Sequence, residues 1–193
     1  MGIRMVNKSA LSLIIVLALS FLFPAQLLQW EPGLLQTGQW WRLFTGHLVH
    51  LNTKHLFLNL TGLLALVVLF PRFLPIRAVL LAVPLMAITI SFGLFLLRPE
   101  LPSYRGFSGC LHGLAAMLAL KELKTETFFS IALLATITVK LALEAVGLER
   151  SQTSVFIEGT VVWESHLLGF ISGLVIAGTT QIRNRKQSQS SPE

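Results

Sequence analysis

The sequence predicts an all-α membrane protein of six transmembrane helices, and three observations carry that prediction. Only 12% of the 193 residues are charged and 53% are hydrophobic, whereas soluble domains carry about 25% charged residues. Mean hydropathy is +0.71, more apolar surface than a water-soluble core of this length can hide but no burden for a bilayer. The apolar residues also gather into six segments, at 10–28, 55–70, 76–97, 108–120, 127–146 and 161–182.

A spanning helix needs about 20 residues, within a range of roughly 17 to 25. The first segment meets this length and follows the basic residues Arg4 and Lys8. It is expected to be a retained helix rather than a cleaved leader, because the apolar run is long and Pro24-Ala25-Gln26 is a poor cleavage site. The second segment is short. The third is a full span. The fourth, 108–120, is short again and begins at a serine. The fifth is full length and carries Lys140 and Glu144, spaced i, i+4 within an apolar run. The sixth is full length and leads into a basic, polar end. Residues 1–9 are expected to be a cytoplasmic N-terminus, 10–182 the membrane domain, and 183–193 a disordered cytoplasmic tail.

Basic residues set the orientation. With the N-terminus inside, the inner segments hold Arg4, Lys8, Arg72, Arg77, Lys121, Lys124, Arg183, Arg185 and Lys186, and the outer ones only Arg42, Lys54, Arg98, Arg105 and Arg150. This bias puts both termini in the cytoplasm. The net charge of +6 is spread over helix ends, so it signals topology and not a nucleic-acid footprint. Trp30, Trp40, Trp41 and Trp163 fall near the outer boundary, where aromatic belts form. The single cysteine, Cys110, excludes an internal disulfide and is expected to pack as a small hydrophobe.

Ser108 and His166 are the residues that point to chemistry. Polar groups buried in lipid are costly and mark functional sites, and serine with histidine is a nucleophile with its base. Depth follows from the helical rise of about 1.5 Å per residue, counted from the inner boundary. Ser108 then lies about 20 Å up, Asn59 about 18 Å, His55 about 24 Å and His166 about 26 Å. All four share one layer, roughly 4 to 12 Å below the outer face of a core about 30 Å thick. The segment before Ser108 must dip into the membrane to reach it, which irregular backbone does only against protein or a wet cavity. Gly109 and Gly113, and Gly169 and Gly173, form two small-xxx-small faces beside the serine and the histidine, suited to close helix contact.

His55 and Asn59 share a helix face and can present an imidazole and an amide to a developing oxyanion. His112, i+4 from Ser108, is expected to pack beside His166 and not to act as a second base. His47 and His50 are expected at the interface. Lys140 and Glu144 are expected to line the substrate's path. The chain has no Asp, so a Ser-His-Asp triad is excluded, and no Glu is evidently placed as a third member.

Trp41-Arg42, HLVHLNTKHLFLN at 47–59, Gly106-Phe107-Ser108-Gly109 and His166-Leu167-Leu168-Gly169 together resemble the rhomboid intramembrane serine proteases, in order and in six-helix layout over roughly 40–180. The serine motif is not the soluble-hydrolase elbow, because Cys110 stands where that motif needs Gly. The resemblance implies Ser108 as nucleophile, His166 as base, and His55, Asn59 and the Ser108 N–H as oxyanion hole, with Gly106, Gly109 and His112 behind them and no metal or other cofactor. The wording RGFSGCLHG is closest to the rhombosortase branch, although His112 stands where most rhomboids carry an aromatic residue. That branch implies partners that are exported, membrane-anchored proteins with a Gly-Gly segment before a C-terminal transmembrane helix. It also implies cleavage with possible transfer to an amine, and a bacterial inner membrane location with the active site open to the periplasm. Two rival readings are a histidine-based metal-handling membrane protein, using His47, His50, His55 and His112, and an inactive rhomboid-like binder of membrane proteins.

Overall fold

The computed structural model describes residues 8–70, 72, 74–148 and 150–190. Arg4 with the rest of 1–7, and 191–193 of the tail, lie outside the described residues. The described chain is nearly all helical: α1 (Lys8–Ser20), α2 (Ala25–Leu28), α3 (Pro32–Gln36), α4 (Arg42–Thr45), α5 (Thr53–Leu69), α6 (Ile76–Leu97), α7 (Ser108–Glu122), α8 (Thr127–Ala145), α9 (Arg150–Ile157) and α10 (Trp163–Ser190). Three of these, α6, α8 and the 163–182 part of α10, are long and apolar enough to cross a membrane, and α1 and α5 are shorter apolar helices.

α7 is the centre of the molecule. It packs against α10 over the most extensive helix contact, and also against α8, α6 and α5. Its residues from Gly109 onward are therefore buried on nearly every side, among them Cys110, Leu114, Ala116, Leu118 and Ala119 at 0% exposure. A helix enclosed on all sides has no polar face to conserve, which explains its run of small and apolar residues. The outer helices reverse the soluble pattern: Leu81 and Leu96 of α6 and Phe128 of α8 each point outward at 76% exposure. Apolar surface of that extent requires lipid.

The first segment departs from expectation. α1 ends at Ser20, and the chain then turns before the short α2. Pro24 disfavours helix in the residue before it, and the Ser20 hydroxyl donates to the Leu48 carbonyl at 2.6 Å. The stretch between α1 and α5 is consequently a folded unit. Arg42 is buried inside it, donating through Nη1 to the Gln26 and Gln29 carbonyls at 3.0 and 2.7 Å and through Nε to Gln39 Oε1 at 2.8 Å. Trp30 is fully buried there and is not a belt residue, whereas Trp40 and Trp41 are exposed. The expected outer loop before the last span contains α9, and α10 runs on to Ser190, past the boundary expected at Ile182. The residues that extend it, RNRKQSQS, include good helix formers and no Gly or Pro.

Candidate active site

The approach to Ser108 is built from backbone pairing. Trp30 and Tyr104 form an isolated antiparallel bridge, with N–H to carbonyl distances of 3.0 and 2.9 Å. The Gly106 N–H then donates to the Gly46 carbonyl at 3.1 Å, and the buried Tyr104 hydroxyl donates to the Gly106 carbonyl at 2.9 Å. Gly106 has φ of +135°, and a Cβ there would stand 2.6 Å from the His55 ring. Only glycine suits both demands. The turn delivers the chain to Phe107, which is fully buried, and α7 opens at Ser108. The N–H groups of a first helical turn have no acceptor within the helix, so the helix start presents backbone donors beside the serine.

Two glycine pairs bring the histidine to the serine. On α10 a Cβ at Gly169 would collide with the Gly109 carbonyl of α7, and one at Gly173 with the Gly113 carbonyl. The two backbones are therefore in direct contact. Ser108 and His166 lie at that seam, with Ser108 Oγ 2.9 Å from His166 Nε2. On the other side of the ring, His166 Nδ1 lies 2.9 Å from Glu144 Oε2 and 3.1 Å from Oε1. A carboxylate only accepts, so Nδ1 carries the proton and Nε2 is left to accept from the serine hydroxyl.

A cavity of about 550 Å³ opens in front of this pair. Ser108, His166, His55, Asn59, His112 and Lys140 all line it, beneath the 101–105 segment and part of α9. Asn52 caps α5 by accepting from the His55 N–H at 3.0 Å, and its amide donates to the Ile157 carbonyl at 2.6 Å. This ties α9 to the start of α5. Asn59 Nδ2 donates to the His55 carbonyl at 3.0 Å. That bond uses one of its two N–H groups.

His112 stacks on His166, with ring centroids 4.3 Å apart and planes 14° from parallel. Its Nδ1 donates to the Ser108 carbonyl of its own helix at 2.7 Å. His112 thus meets the serine's backbone and the histidine's ring face, while the bond to Ser108 Oγ comes from His166. We expect His112→Phe, which keeps a flat ring on His166, to retain kcat/KM within about tenfold, stacked rings being worth only about 0.5–1.5 kcal/mol. A loss as deep as that of His166→Ala would instead make His112 a base.

Several expected placements are corrected. Glu144, expected to line the substrate's path, does not line the cavity; it is fully buried, behind His166 and bonded to it. Lys140 does line the cavity, and its ammonium pairs with Glu144. His47 and His50 are not interfacial but buried in the unit between α1 and α5. His47 Nε2 lies 3.0 Å from Ser91 Oγ, and the His50 ring meets His55 edge-on. Burial lowers both their pKa values to about 3, so both are neutral packing groups. Among the described residues, no three His, Cys, Asp or Glu side chains are grouped to hold a metal ion. The sequence-based reading missed Glu144 as a histidine partner.

Residues 37–182 match the model of the rhomboid domain. The match covers most of the chain, which belongs to the rhomboid family, a family of intramembrane serine proteases. No curated protein matched the chain.

Proposed function

We propose that this protein is an intramembrane serine endopeptidase that cleaves membrane-anchored, exported proteins at a glycine-rich segment preceding a C-terminal transmembrane helix. The observation that carries this reading is the 2.9 Å contact between Ser108 Oγ and His166 Nε2 at a cavity of about 550 Å³ lined by His55 and Asn59. Ser108 attacks the scissile carbonyl while His166 Nε2 takes its proton. The oxyanion is held by the Ser108 N–H, the Asn59 amide and the His55 ring. Collapse returns the Nε2 proton to the leaving amine and leaves an acyl-enzyme, which water or an amine then releases. The reading includes six membrane crossings, by α1, α5, α6, α7, α8 and α10, both termini cytoplasmic, and a site opening to the periplasm of a bacterial inner membrane.

The preference for glycine follows from depth. A substrate helix must unwind before Ser108 can reach a carbonyl a few Å below the outer face. Glycine weakens a helix by about 1 kcal/mol relative to alanine and lets its backbone approach the nucleophile. The resemblance to rhombosortases supports the same substrate class. A fluorophosphonate should label the purified protein at Ser108 alone, as read by peptide mass spectrometry. Absence of label, with the protein folded, would favour the inactive, partner-binding alternative.

The oxyanion assignment has its own test. Removing one such donor typically costs about 100- to 1000-fold in turnover. Asn59→Ala should lower kcat by that order with KM little changed, and a rise in KM alone would move Asn59 from the oxyanion hole to substrate binding.

A further inference from the structure

We propose that Glu144 completes a Ser108–His166–Glu144 chain as a positioning residue, and that Lys140 fixes the direction in which the group at 144 faces His166. The inference rests on Ser108 being the nucleophile. Rhomboid chemistry by serine and histidine alone would need nothing on α8. Yet α8 delivers a fully buried carboxylate with both oxygens within 3.1 Å of His166 Nδ1. A buried charge is costly unless fully paired. Glu144 is paired twice, by the imidazole on its inner side and by the Lys140 ammonium on the cavity side.

In the resting state Nδ1–H donates to Glu144 and Nε2 accepts from the Ser108 hydroxyl. As the Oγ–carbon bond forms, the hydroxyl proton passes to Nε2 and the ring becomes a cation against the carboxylate. As the carbon–nitrogen bond of the substrate breaks, the same proton leaves Nε2 for the departing amine. Glu144 gains no proton at any stage; it holds the ring and its tautomer.

Lys140 makes the idea sharply testable. An ammonium can only donate. In Glu144→Gln, whose shape is conserved, Lys140 draws the amide oxygen to itself and the amide NH2 turns toward Nδ1. Two donors cannot face each other, so the imidazole proton moves to Nε2 and Ser108 loses its acceptor. Replacing Lys140 as well frees the amide to turn its oxygen to Nδ1–H. The removal of a second polar group should thus restore activity.

The measurement is the second-order rate of fluorophosphonate labelling of the full chain in detergent, beside the unfolding temperature of each variant. Glu144→Gln should label about 10³- to 10⁴-fold more slowly, as expected for a wrong tautomer, with unfolding little changed. Glu144→Gln with Lys140→Met should label at least about tenfold faster than Glu144→Gln alone, by release of the amide. The exchange Lys140→Glu with Glu144→Lys keeps an ion pair but puts a donor against Nδ1, and should label as slowly as Glu144→Gln. Labelling of Glu144→Gln or of the exchange variant at the wild-type rate would overturn the inference, as would a double variant no faster than Glu144→Gln. In those cases wild-type labelling at Ser108 leaves the protease reading standing. A wild-type protein labelled elsewhere, or not at all, overturns both.

Discussion

Ser108→Ala and His166→Ala should each abolish cleavage of a membrane-anchored substrate while the protein stays folded in the membrane. Losing the nucleophile or the base of such a unit typically costs about 10⁶-fold in kcat, because the remaining members cannot act without it. The structural cost is far smaller. Ser108 contributes one side-chain hydrogen bond, to His166, worth about 1 kcal/mol net. Burial along the rest of α7 is untouched. His166→Ala is the more disruptive change, since it strips the stack from His112 and one partner from Glu144, although Lys140 still pairs the carboxylate. His166→Ala should therefore unfold at a lower temperature than Ser108→Ala, with both equally inactive. Cleavage measured in proteoliposomes beside thermal unfolding in detergent checks both halves. Substantial turnover by Ser108→Ala would end the serine-protease reading.

How far the site was legible depends on which physical signal each residue left in the sequence. The third and fifth apolar segments became α6 and α8 with nearly the expected bounds, because length and uniform hydropathy define a lipid-facing helix. Counting depth put Ser108, His166, His55 and Asn59 in one layer, and all four line one cavity. The same count applied to α8 puts Glu144 about 26 Å above the inner boundary, at the depth of His166. The signal was present, but its i, i+4 spacing from Lys140 grouped the two charges as joint lining of the substrate's path rather than setting Glu144 against the histidine. Which way a helix faces is a tertiary fact, and α8 has little amphipathic signal to orient it. The unit between α1 and α5 was the least legible. Its order comes from long-range bonds to carbonyls, such as Arg42 to Gln26 and Gln29, which leave no periodic pattern. His47 and His50 were misplaced for the same reason: a histidine in a polar loop looks interfacial until the loop is known to fold.

Gly169→Ala should damage both stability and catalysis, out of proportion to the single methyl group it adds. The new Cβ would collide with the Gly109 carbonyl oxygen and would also crowd the carbonyl carbon and Cα, the latter at 3.2 Å. The obstacle is backbone on a fully packed helix, so no side chain can swing aside. α10 must move away from α7, at a cost in the range of about 1–3 kcal/mol for overpacking. His166 lies one helical turn before Gly169 on the same helix, and Ser108 sits one residue before Gly109 on the other. A displacement near 1 Å at this seam falls directly on the Oγ–Nε2 contact, and such a misplacement can cost about 100-fold in rate. The other α10 glycines supply the controls. A Cβ at Gly173 would meet the Gly113 carbonyl in the same way, but a turn further from the histidine. Gly173→Ala should lose comparable stability and less activity. A Cβ at Gly178 would meet nothing within 4 Å, so Gly178→Ala should be neutral or slightly stabilising, since alanine favours helix over glycine by about 1 kcal/mol. Unfolding temperature and kcat measured for the three variants separate the two effects. Wild-type stability and turnover in Gly169→Ala would mean that the two helices do not need this contact, and that something other than glycine packing sets the distance between Ser108 and His166.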